Sequence, residues 1–346
     1  MNIVITGGAG FLGVRLARQL LANGTVCLAG GAPEPVECVT LVDRVEPPAD
    51  LAADSRVRAV IGDLNQLLEL NTPEAQVIRA QDAIIFHLAA AVSGECEADF
   101  DLGMRSNVDA TRALLQACRT LGTKPTFVFA SSLAVFGNSA EQPLPEVIDD
   151  RTLPTPQNSY GIQKFIGEQL VADYARKGFV RGRNVRLMTV SVRPGKPNGA
   201  ASSFLSGMIR EPLAGVKAIC PVPASTPVAL SSPERTVEGL VRAAEASDRD
   251  WGARTAINLP AITTTAGEMA AALERLAGRQ TTALIDWTPD PVIAGIVTSW
   301  PSRIDAARAR GIGLQPDTDF EAIILAYIRE NPDAISASFL PQFKVV

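Results

Sequence analysis

The chain has 346 residues, 47% hydrophobic and 20% charged, with a formal net charge of −5, which is enough apolar material for one large α/β domain and a smaller second one. Its charges are scattered, so it lacks the clustered Lys/Arg footprint of a nucleic-acid or anionic-membrane binder. With a single histidine, His87, and no C-x-x-C pair among five cysteines, zinc sites built on two histidines are excluded, and Ser-His-Asp or Cys-His catalysis would rest on His87 alone.

The first residues, Met1 to Thr6, run into a glycine cluster without the basic and apolar regions of a signal peptide. No apolar run reaches the ~18 residues of a membrane span. A reduced, metal-free, cytoplasmic protein is therefore expected.

Strands are predicted at Asn2 to Thr6, Cys38 to Val42, Val57 to Ile61, Ala83 to His87, Thr126 to Ala130 and Val185 to Val192. They alternate with helical patterns at Leu12 to Leu21, Ser106 to Leu121 and Gly161 to Arg176. Apolar strands without polar alternation belong in a parallel sheet buried on both faces, and strand–helix alternation predicts a Rossmann-like, doubly wound α/β fold. His87 ends one of these apolar runs and reads as a structural residue.

After Pro194 proline and glycine become dense, and helical patterns follow at Pro233 to Ala246, Thr265 to Ala277, Ser302 to Arg310 and Asp319 to Glu330. Residues 1–193 are thus expected to form a dinucleotide-binding domain and residues 194–346 a smaller, mainly helical substrate-binding domain. A strand at Thr255 to Leu259 is expected to return to the main sheet.

Thr6-Gly7-Gly8-Ala9-Gly10-Phe11-Leu12-Gly13 sits between the first strand and the first helix. A tight turn, close approach to a pyrophosphate and close helix–strand packing each need a residue without Cβ, here Gly7, Gly10 and Gly13, and the helix N-terminus offers free N–H groups to the phosphates. Asp43 ends the second strand, where a carboxylate accepts from ribose hydroxyls and repels a 2′-phosphate, which favours NAD over NADP. It falls later than the usual ~20-residue offset, and Gly30 to Pro35 reads as a loop insertion. Arg44 follows directly and is a possible phosphate partner. Asp63, before Leu64, either meets the adenine amino group or caps the next helix.

Tyr160 and Lys164 are spaced i and i+4, on one helix face. Ser131 and Ser132 lie at the C-terminal end of the fifth predicted strand, where open α/β sheets bind ligands. Oxidising an alcohol requires a base for the hydroxyl proton. A tyrosinate serves if its pKa falls from about 10 toward 7, about 4 kcal/mol. Lys164 is expected to supply that stabilisation and Ser132 to hold the substrate oxygen.

As a set, Thr6 to Gly13, Asp43, Asp63-Leu64, His87 to Ala90, Asn107, Ser131-Ser132, Val135-Phe136-Gly137, Tyr160 with Lys164, and Arg193-Pro194-Gly195 resemble the extended short-chain dehydrogenase/reductase family of NAD-dependent epimerases and dehydratases. The resemblance covers the cofactor domain and much of the rest. It implies that NAD is held by Gly7, Gly10, Phe11, Leu12, Gly13, Asp43, Asp63, Leu64, Ala89, Ala90, Ala91, Ser131, Tyr160, Lys164 and the segment around Val192. It places Asn107 either at the cofactor side of the active site or in a purely structural helix position. It further implies a homodimer, through a four-helix bundle of Ser106 to Leu121 and Gly161 to Arg176, whose apolar positions also fit an ordinary core. Phe136 departs from the family's usual tyrosine.

A dehydratase carries an acidic pair after the strand-5 Ser/Thr, and here those positions are Leu133 and Ala134, which argues against elimination. The segment from Phe179 to Leu213 departs from the nucleotide-sugar pattern at Arg193 to Asn198. It resembles dehydrogenases that oxidise the C2 hydroxyl of a four-carbon sugar acid, D-erythronate, with NAD. Ser93, Ser132, Tyr160, Arg193, Ser202, Ser203 and Arg210 are the candidate substrate contacts, since arginine grips a carboxylate bidentately. Either arginine fits a salt bridge equally well, and Ser202-Ser203 fits a helix N-cap. The alternative activity is a nucleotide-sugar 4-epimerase with retained NAD.

Overall fold

In a computed structural model that describes residues 1–70, 72–337 and 339, the first half of the chain alternates strand and helix. The elements are β1 (Asn2–Thr6), α1 (Phe11–Asn23), β2 (Cys38–Asp43), β3 (Val57–Ile61), β4 (Asp82–His87), α2 (Ala110–Leu121), β5 (Thr126–Ser132), α3 (Ser159–Arg176) and β6 (Arg181–Leu187). Then follow β7 (Thr189–Val190), α4 (Ser203–Leu213), β8 (Pro227–Ser231), α5 (Pro233–Glu245), β9 (Ile257–Asn258), β10 (Ile262–Thr265), α6 (Ala266–Ala277), α7 (Pro291–Thr298) and α8 (Phe320–Glu330).

Seven strands form one parallel sheet in the order β9-β6-β5-β4-β1-β2-β3, the doubly wound α/β arrangement. Parallel strands need covering on both faces. Leu16, Leu20 and Leu240 pack in the core that includes Ile3, Ile5 and Val185, while Leu114, Leu115 and Val171 pack with Val4, Phe127 and Phe129 in a second core. The chain after Pro194 adds α5 and β9 to this body, and builds its own core from α4, α6 and α8.

Three expectations need correction. The strand predicted at Val185 to Val192 begins instead at Arg181, and Thr189–Val190 leaves the sheet to pair with Leu230 and Ser231 of β8. Arg183 and Arg186 are buried in β6 because each has partners: Arg183 bonds Asp248 (2.6 Å) and the Ala243 carbonyl (3.2 Å), and Arg186 bonds Glu168. Helix Ser302 to Arg310 shrinks to Ala307–Gly311, since the chain before it runs beside Ile148, with Ile148 N–H donating to Arg303 O (2.9 Å) and Asp305 N–H to Ile148 O (2.7 Å). Helix α7 was not anticipated, whereas α4 does follow Ser202 and carries Pro212 in its last turn.

The insertion before Asp43 is an antiparallel ribbon of Thr25–Cys27 with Pro33–Pro35. Its tip docks on the end of α5, Ala29 and Gly30 N–H donating to Ala244 and Glu245 carbonyls.

Candidate active site

At the C-terminal edge of the sheet lies a cavity of about 530 Å³, running from the glycine loop to Tyr160, Arg193 and Ser202. The loop is tied to β2 by Gly7 and Gly8 N–H groups, which share the Val42 carbonyl (2.8 and 3.2 Å). A Cβ on Gly13 would sit 2.1 Å from the Gly7 oxygen, and one on Gly7, at φ +71°, 2.8 Å from Ala89 N. No side chain caps α1, so its first N–H groups are left for a ligand.

Gly7, Gly10, Phe11, Leu12, Gly13, Asp43, Asp63, Leu64, Ala89, Ala90, Ala91 and Ser131 all line the cavity. Asp43 Oδ2 accepts from Ala9 N–H (3.0 Å) and Oδ1 from Arg44 N–H (2.7 Å). Asp63 does cap the helix Leu64–Glu69, accepting from Asn65 N–H, and its other oxygen pairs with Arg44 at 2.6 Å. Burial works to raise its pKa, but the Arg44 bond and charge outweigh that and hold it low. Arg44 is thereby committed to a carboxylate.

Ser132 ends β5 and accepts from Ala134 N–H (3.1 Å). Asn158 caps α3, accepting from Gly161 N–H (2.8 Å), and a Cβ on Gly161 would lie 2.0 Å from Ala134 O, so the helix start abuts the turn after Ser132. Tyr160 and Lys164 follow on that helix, both lining the cavity. The Lys164 ammonium donates to Ala130 O (2.9 Å) and stands 5.7 Å from the Tyr160 ring centre. Burial pushes the Tyr160 phenol up to about 12, opposed by hydrogen bonding to Ser132 and by the charge of Arg193. Burial brings Lys164 down to about 8. The phenol is thus not brought down toward 7 as expected: burial dominates, against the charge of Arg193 and with the Lys164 ammonium also close to the ring.

His87 is enclosed between Thr6 Oγ1 (2.6 Å) and Thr111 Oγ1 (2.9 Å). Burial, and secondarily the charge of Lys164, push its pKa down to about 3, so it is a neutral structural imidazole.

Four candidates stand behind the cavity wall. Asn107 is buried, accepts from Ala91 N–H (2.9 Å) and donates to Ala91 O (3.2 Å) and Gln163 (2.8 Å), so it braces the wall. Val192 is 2% exposed, and its neighbours Val190 and Arg193 form the surface instead. Ser203 accepts from Asn198 N–H (3.1 Å). Arg210 donates to Arg193 O (2.7 Å) and to Glu211 (2.5 Å). Ser93 and Ser202 do line the cavity, Ser93 Oγ also accepting from Ala201 N–H (3.0 Å), and Ser202 makes no side-chain cap. Sequence reasoning missed Met188 and Trp300 on the same wall. Trp300 follows an apolar helix distant in the chain, and no local pattern links it to the site.

The glycine cradle, the uncapped helix N-terminus and the Asp43 carboxylate at the cavity edge fit a dinucleotide. Among the described residues no cluster suited to a metal ion occurs, and no helix is long and apolar enough to cross a membrane.

Similarity to known proteins agrees with this geometry. The chain is 49% identical over 330 residues to a D-erythronate dehydrogenase of Cupriavidus necator, covering 95% of this chain and 98% of that one. It is 42% identical to a D-erythronate dehydrogenase of Haemophilus influenzae, covering 95% and 99%. A solved structure described as a nucleoside-diphosphate-sugar epimerase from Agrobacterium tumefaciens superposes with a TM-score of 0.84 at 40% identity, covering 96% of this chain and 95% of that one. Residues 3–226 match the NAD dependent epimerase/dehydratase family. The chain belongs to that family, the extended short-chain dehydrogenases/reductases, and its cofactor is NAD.

Proposed function

We propose that the protein oxidises the C2 hydroxyl of a small sugar acid, D-erythronate first, to the 2-keto acid. The observation that carries this reading is the near-full-length likeness to two D-erythronate dehydrogenases, combined with Ser132, Tyr160 and Lys164 around one cavity. Bound NAD supplies the hydride acceptor. Ser132 holds the substrate oxygen, and Tyr160 takes its proton as the C2 hydride departs. Lys164, anchored to Ala130 O, fixes α3 against the end of β5 and adds positive charge behind the phenol. Leu133 and Ala134 form a buried apolar turn, with no carboxylate there to move a second proton.

In this reading residues 1–193 furnish the NAD side and residues 194–346 cover the substrate side, where Ser202 meets Ser93 and Arg193 of the first part around the sugar acid. The protein works in the cytoplasm as a homodimer joined through α2 and α3. Exposed Ile162 on α3 and Phe100, on a turn packed against α3, supply apolar surface there.

Absorbance at 340 nm across a panel of aldonates tests the reaction. NADH should form from D-erythronate and fall about 1,000-fold in Tyr160→Phe, the scale of a positioned base. Silence on every four-carbon acid, or redox-neutral epimerisation of a nucleotide sugar, would overturn it.

A further inference from the structure

A 2-hydroxy acid carries its carboxylate one bond from the carbon that reacts. If the C2 hydroxyl lies against Ser132 and Tyr160, the carboxylate falls beside them, in a partly buried site where an unpaired anion is costly. A cation must stand there.

The cavity wall offers Arg44, Lys164 and Arg193. Arg44 is paired with Asp63 at the far end, and Lys164 donates to a backbone carbonyl. Arg193 differs from both. Among the described residues no carboxylate pairs with it, and its side chain makes one long contact, 3.4 Å to Asn198 Oδ1. Its backbone is nevertheless fixed at both ends: Arg193 N–H donates to Ser206 Oγ (3.0 Å), and Arg193 O accepts from Arg210 (2.7 Å). Arg210 has its own counter-ion in Glu211, so the uncompensated charge of this cluster resides on Arg193. Burial and the charge of Arg210 both disfavour the Arg193 cation, while Tyr160 opposes them.

We infer that Arg193 is the carboxylate anchor, and that its place beside Tyr160 directs oxidation to the carbon adjoining the carboxylate. This rests on the dehydrogenase reading above and assigns its acid-recognising residue. A planar guanidinium receives a carboxylate bidentately, which fixes orientation as well as affinity. A bound carboxylate also screens Arg193 from the phenol, so removing the cation affects substrate capture more than the chemical step.

The test compares wild type, Arg193→Met and Arg193→Lys on D-erythronate and on erythritol, which keeps the C2 alcohol and lacks the acid. Arg193→Met should raise the KM for D-erythronate about 100-fold, the scale of losing a charged hydrogen-bonded partner. Preference for acid over polyol should collapse with it, and Arg193→Lys should recover part of both. The NAD dissociation constant, by calorimetry, should stay within about threefold. An unchanged KM in Arg193→Met overturns the anchor, as does loss of NAD binding in both variants, which would make Arg193 a structural residue. Wild type inert on all four-carbon acids overturns the reaction itself, and the anchor with it.

Discussion

Lys164 lies one helical turn from Tyr160, yet its ammonium bonds the carbonyl of Ala130, at 2.9 Å, two residues before Ser132. The cation is buried, and burial lowers its pKa from the usual 10.5 to about 8. The unfolded chain therefore binds this proton more tightly than the folded one. The cost is fully present below pH 8 and fades as pH rises toward 10.5. Lys164→Met should accordingly raise cofactor-free stability at pH 7 by about 2 kcal/mol while nearly abolishing NADH formation, as expected where a site carries strain for function. Urea denaturation at pH 7 and pH 10.5 checks it. A variant less stable than wild type at pH 7 refutes the account.

His87 gives the opposite end of the pH scale. Held neutral between Thr6 and Thr111, with a pKa near 3, it stays unprotonated in the folded state while the unfolded chain takes up a proton as pH falls below 6.5. Stability must then decline with acidity between pH 6.5 and about 3, with this one group contributing about 1.4 kcal/mol per pH unit. Denaturation midpoints at pH 6, 5 and 4 should show that slope in wild type and a slope shallower by that amount in His87→Asn, whatever its absolute stability. Parallel slopes would exclude the mechanism.

The parts of the site built by short-range rules were legible. Gly13 is required because a Cβ there meets the Gly7 oxygen at 2.1 Å, and the i, i+4 spacing placed Tyr160 and Lys164 on one face of α3. What escaped depends on contacts distant in the chain. The strand's true start at Arg181 was missed, since burying Arg183 and Arg186 relies on Asp248 and Glu168 from distant parts of the chain. Arg210 looked as suited as Arg193 to grip a substrate, and only the bonds to Arg193 O and Glu211 separate them. Asn107 was equally plausible against cofactor or in the fold, and its bonds to Ala91 and Gln163 put it behind the wall.

Glu168 sits one turn beyond Lys164, so a single face of α3 carries Tyr160, Lys164 and Glu168. Its two oxygens receive Arg186 Nε and Nη2, both at 2.8 Å, and Oε1 also accepts from Ser131 Oγ at 2.6 Å. Both ion-pair side chains are at most 5% exposed. The pair thus clamps α3 to β6 and holds the strand end beside Ser132. Removing one member leaves a buried, uncompensated charge, so Glu168→Leu should cost about 4 kcal/mol, whereas Glu168→Leu with Arg186→Met should come within about 1 kcal/mol of wild type. Ser131 loses its partner in both proteins, so kcat should fall about tenfold in each even though stability returns in one. Urea denaturation with NADH assays on the three proteins separates these effects. A double variant as unstable as the single one would mean that the packing of these side chains, not their charge, holds the helix to the sheet.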